Sequence, residues 1–90
     1  MAIISQSVKI QNLKGLHARA TSSFVKVADS FEAEITVKKQ DLTVNGKSIM
    51  GLLMLGAPLG ETIIISAEGS DAEEAIRALI QLVNNKFGEE

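Results

Sequence analysis

The 90-residue chain has no cysteine, no tryptophan and no tyrosine, and only one proline and one histidine. Without cysteine there is no disulfide staple, no thiolate nucleophile and no thiolate metal ligand, a composition suited to a reducing compartment. A single histidine cannot build the usual nitrogen and sulfur ligand set of a zinc centre either. Phe24, Phe31 and Phe87 are the only aromatics, so Ile, Leu, Val and Ala must fill the core. No apolar run approaches the roughly 18 residues of a membrane span, and the opening M-A-I-I-S-Q-S-V-K-I lacks a basic region leading into an unbroken apolar stretch. The expectation is a soluble, cytoplasmic protein that does not insert into a membrane.

Negative charge is scarce at one end. Nothing acidic precedes Asp29, whereas Lys9, Lys14, Arg19 and Lys26 all fall in that span. Residues 1–60 carry seven basic and four acidic side chains, net +3, and residues 61–90 carry two and seven, net −5. The first part of the chain therefore favours an anion. The total of −2 is too acidic for a general nucleic-acid binder.

With 46% hydrophobic and 22% charged residues, the chain reads as one packed domain over residues 1–90. Ile4, Val8 and Ile10 alternate with polar residues, predicting a first strand that runs to about residue 10. From Ala20 the apolar positions Ala20, Phe24, Val27, Ala28 and Phe31 recur at three- and four-residue intervals, which predicts an amphipathic helix of about 12 residues. Ala33, Ile35 and Val37, then Leu42 and Val44 beyond a Lys39-Gln40-Asp41 turn, predict a hairpin. Ser48 can cap a short helix from Ile49 to Leu55, closed by Gly56. Thr62 to Ser66 is a β-branched strand, and Ser70-Asp71-Ala72-Glu73 reads as a capping box opening a last helix that ends near Gly88. The order βαββαβα, with one polar face on most strands, predicts an α+β open-faced sandwich: a four-stranded, mainly antiparallel sheet with three helices on one side.

His17 falls on the first turn or cap of the first helix. Gly15 frees the backbone there, and a helix start offers unpaired N–H groups and the positive end of the macrodipole. Such a site favours a neutral, nucleophilic imidazole. Arg19 adds a planar, permanently charged fork suited to phosphate oxygens. Together these describe a phosphoryl acceptor better than a metal site. A hydrolytic triad is hard to build, because Thr21, Ser22 and Ser23 have no carboxylate before Asp29 to orient a base.

The helix 49–55 is apolar on every side, so some of Ile49, Met50, Leu53 and Met54 should remain exposed as an adaptable docking patch. Ser48 is most simply an N-cap, yet a phosphate there, behind Lys47, would be electrostatically tolerated. Gly46-Lys47-Ser48 is no phosphate-binding loop, since position 41 is aspartate where the motif needs glycine.

At these residues the chain resembles the HPr family, the histidine-containing phosphocarriers of the bacterial phosphoenolpyruvate-dependent phosphotransferase system. The likeness is carried by G-L-H-A-R at 15–19, F-V-K at 24–26, V-N-G-K-S-I-M-G-L at 44–52, L-G at 55–56 and I-S-A-E-G at 65–69, in one order along the chain. The resemblance implies the open-faced sandwich and a stoichiometric carrier rather than an enzyme, a monomer without cofactor or metal. It implies that His17 accepts the phosphoryl group, on its pros nitrogen, and that Arg19 stabilises it. It implies that Ser48 is the regulatory serine, addressed by a serine kinase and phosphatase, and that Ala18, Ile49, Met50 and Leu53 meet enzyme I and enzyme IIA. A regulatory binding protein of a nitrogen-linked or catabolite-control branch, acting on a transcriptional regulator through Ser48 and the apolar helix, is the alternative. One departure is Ala20, where the family usually has proline; alanine leaves the loop around His17 less rigid.

Overall fold

A computed structural model describes residues 3–89; residues 1, 2 and 90 of the expected domain span lie outside it. Four strands, β1 (Ile3–Lys9), β2 (Glu34–Lys39), β3 (Leu42–Asn45) and β4 (Thr62–Glu68), form one sheet in the order β1-β4-β2-β3. Every neighbouring pair is antiparallel. Three helices, α1 (Ala18–Asp29), α2 (Ile49–Leu55) and α3 (Ala72–Asn84), are followed by a short 3-10 turn at Lys86–Gly88.

The strand alternation decides which face is covered. Val37 on β2 and Ile63, Ile65 and Ala67 on β4 are buried, whereas Thr36, Lys38 and Ile64 point to the open side. From the helices, Phe24 and Ala28 of α1, Leu52 and Leu55 of α2, and Ala75, Leu79 and Val83 of α3 enter the same core. Phe24, the largest fully buried side chain, sits about two turns along α1 from its N-cap His17.

Helix α1 begins at Ala18 with His17 at the cap, as expected: its dihedrals are extended and its carbonyl accepts from Thr21 N–H at 2.9 Å. Two local expectations need correction. Strand β1 stops at Lys9, and the fully buried Ile10 pairs with a loop, its N–H donating to Glu61 O and its carbonyl accepting from Gly60 N–H. The capping box at α3 does not form. The N-cap is Asp71, which makes no side-chain cap bond, and its two carboxylate oxygens accept instead from the N–H groups of Glu32 and Ala33, each at 2.9 Å. That carboxylate ties the α1–β2 connection to the start of α3. Two donors on a neighbouring loop outcompete the local one.

Candidate functional site

The loop between β1 and α1 is pinned from both sides. Leu16 is buried, and its N–H donates to Ala57 O at 2.9 Å. Gly15 has φ +65°, and a Cβ there would stand 2.5 Å from Ala57 O, so both the dihedral and the close approach call for glycine. Asn12, also buried, donates from Nδ2 to Gly15 O at 2.8 Å. These contacts deliver His17 to the helix start with its backbone fixed. Because the first intrahelical bond is made by Thr21 N–H, the N–H groups of Ala18, Arg19 and Ala20 have no partner inside the helix. The His17 side chain makes no cap bond to them. It is half-buried, and Ala18 and Arg19 are exposed.

The imidazole is held from the other direction. His17 Nε2 lies 2.6 Å from Glu89 Oε2, and the second oxygen, Oε1, accepts from Asn12 Nδ2 at 3.1 Å. Burial pushes the Glu89 carboxyl up, but the hydrogen bonds from His17 and Asn12 and the charges of His17 and Arg19 outweigh it, so it is held below its ordinary value of 4.5. Near neutral pH it is an acceptor-only carboxylate, so the ring nitrogen facing it carries the proton. Asn12 Oδ1 is buried with no hydrogen-bond partner among the described residues. Asn12, Lys14, Arg19 and Glu89 share one open cleft.

Sequence reasoning missed two members of this site. Asn12 belongs to no motif that the sequence displays. Glu89 lies 72 positions from His17, so a search for a nearby carboxylate could not find it. The anion that the basic first segment favours is supplied, in this state, by the chain itself.

Ser48 stands elsewhere in the fold, at the start of α2. Its Oγ accepts from Gly51 N–H at 3.0 Å, and the helix ends on Gly56 in the left-handed conformation. Lys47 reaches back to donate from Nζ to Phe31 O at 2.7 Å, which ties this helix start to the end of α1. Leu52 and Leu55 are buried, while Ile49, Met50, Leu53 and Met54 are exposed, Met50 and Met54 by about 70%. The helix thus leaves four of its six large apolar side chains exposed.

Among the described residues no cluster of three His, Cys, Asp or Glu could hold a metal, and no helix is long and apolar enough to cross a membrane.

Comparison with known proteins identifies the family. A family pattern described as "PTS HPr component phosphorylation site" matches residues 4–85. The phosphocarrier protein HPr of Neisseria meningitidis is 49% identical over 87 residues, 97% of this chain and 98% of that one. The phosphocarrier protein NPr of Shewanella violacea is 39% identical over 99% of this chain and 98% of its own length. A crystal structure of HPr from Thermoanaerobacter tengcongensis superposes with a TM-score of 0.93 at 47% identity, covering 97% of this chain and 98% of that one. A four-stranded antiparallel sheet under three helices, with one histidine at an open helix start, accords with that likeness. The chain belongs to the HPr family of phosphocarriers, components of the phosphotransferase system rather than enzymes.

Proposed function

We propose that this chain, acting as one domain over residues 1–90, carries the phosphoryl group on Nδ1 of His17, taking it from enzyme I and passing it to enzyme IIA. The observation that carries the reading is the pairing of the ring with Glu89. With Nε2–H donating to a carboxylate, the imidazole in its neutral form presents Nδ1 as its bare nitrogen. A group bonded to Nδ1 would lie beside the start of α1, whose three unpaired N–H groups and dipole favour negative charge. Arg19, exposed in the first turn of α1 and lining one cleft with Glu89, is the proposed charge partner of the transferred group.

The docking face is assigned to Ala18 together with Ile49, Met50 and Leu53, supported by their exposure and by the packing of α1 against α2. Ser48 is the proposed regulatory position for a serine kinase. Its side chain is partly exposed, and a phosphate there would add about −2 charge at a helix N-terminus, beside that apolar patch.

Incubation of the purified chain with phosphoenolpyruvate and enzyme I should yield one acid-labile phosphate per chain, and His17→Ala should take up none. Label on His17→Ala would sink the assignment.

A further inference from the structure

We infer that Glu89 is a positioning residue for phosphoryl transfer: its carboxylate holds the proton of His17 on Nε2 and so leaves Nδ1 as the bare nitrogen of the neutral ring at the start of α1. The inference rests on His17 being the phosphoryl acceptor. It assigns a task to a residue outside the segment matched by the family pattern, which ends at residue 85.

Two features of the backbone show how Glu89 is brought there. After α3 the chain turns through three consecutive left-handed residues, Lys86 at φ +57°, Phe87 at +56° and Gly88 at +77°. Only the glycine adopts that conformation freely; for a lysine and above all a bulky phenylalanine it is strained. The turn is closed by Gly88 N–H to Asn85 O and Glu89 N–H to Lys86 O, and it is anchored by Phe87, 7% exposed in the core. A strained segment fixed by a buried aromatic brings Glu89 to His17, the N-cap of α1. Once there, the carboxylate is oriented by a second donor, since Asn12 Nδ2 holds Oε1 while Oε2 faces the ring. A side chain gripped through both oxygens sets the rotation of the imidazole as well as its tautomer.

In the transfer step the Nδ1 lone pair forms the new P–N bond while the donor's bond to phosphorus breaks and its electron pair leaves with the donor. The Nε2 proton stays on the ring, which becomes cationic while it bears the phosphoryl group. Glu89 balances that charge at one edge, and Lys14 and Arg19, on the same cleft, balance the phosphoryl oxygens. The arrangement parallels the carboxylate that orients the histidine of a hydrolytic triad, here in a site open to solvent.

The test uses the full chain labelled with ¹⁵N, whose single histidine gives only two ring-nitrogen signals. At a pH where the ring is neutral, wild type should show a protonated Nε2 and a bare Nδ1. In Glu89→Gln the amide can either accept from Nε2–H or donate to a bare Nε2, so the two signals should move toward each other as tautomers exchange. Phosphorylation by enzyme I should slow about tenfold in Glu89→Gln, and Glu89→Asp, which keeps the charge, should recover part of the rate. Unchanged ring signals and rate in Glu89→Gln, or faster phosphorylation, would overturn the inference; a faster rate would make Glu89 a plug. His17→Ala tells the two readings apart: if it stays unlabelled while Glu89→Gln matches wild type, only the role of Glu89 falls.

Discussion

Helices α1 and α2 begin in opposite ways. At α2 the cap is a hydroxyl that turns inward, so Ser48 Oγ satisfies Gly51 N–H and the helix closes its own end. At α1 the cap is an imidazole that makes no bond to the helix, leaving three donors unspent among the described residues while its ring is held by a carboxylate from the far end of the chain. The first arrangement is ordinary stabilisation. The second forgoes a cap bond typically worth about 1 kcal/mol and keeps the donors available for a ligand. A helix start becomes an anion site only when the protein refrains from capping it.

The largest effect should come from the loop that delivers His17. Gly15→Ala forces a Cβ against Ala57 O at a positive φ and should lower stability by about 2–3 kcal/mol, a drop in Tm of roughly 10 °C or more. Calorimetry would measure it, and an unchanged Tm would mean the loop is not pinned as described. Arg19→Ala should leave Tm unaltered, because the side chain is exposed, yet slow phosphorylation by about 10- to 100-fold. Rapid-quench labelling separates that outcome from a merely solvated arginine, which would leave the rate alone.

Ser48→Ala sharpens the contrast from the other helix. It should cost about 1 kcal/mol, or roughly 4–8 °C in Tm, while uptake at His17 continues at the wild-type rate. A matching loss of uptake would show that the two helix starts act together. The smallest effect concerns the C-terminal turn. The folded Glu89 carboxyl is held below its unfolded value, so its contribution is complete above that value and is lost as the pH falls through the folded one. A ¹³C titration of the Glu89 carboxyl should therefore have its midpoint below 4.5. A midpoint at or above that figure would detach the tail from the ring.

Much of this architecture is visible in side-chain periodicity. The stripe through Phe24 and Ala28, the alternation at Ile35 and Val37, and the Ser48–Gly56 bracket around α2 each express a single local rule, and each element appears where the pattern puts it. The errors arise where a side chain has a choice of partners. The Ser70–Glu73 motif predicts a local capping bond, but the N-cap is Asp71, and two N–H groups at Glu32 and Ala33, about forty residues earlier, take its carboxylate. His17 could be placed on a helix start from Gly15 and the apolar stripe that follows. Its partner could not, because Glu89 arrives through a left-handed turn at Lys86 and Phe87 that no residue preference encodes. Asn12 likewise gains meaning only once the two chain segments it bridges are side by side.

The central claim is that the open start of α1, rather than the closed start of α2, receives the phosphoryl group. Amide ¹H–¹⁵N spectra of the ¹⁵N-labelled chain before and after phosphorylation by enzyme I address it directly. The account predicts large downfield shifts at Ala18, Arg19 and Ala20, with Ile49, Met50 and Gly51 nearly unmoved. Shifts concentrated at α2, or none at the first turn of α1, would contradict it.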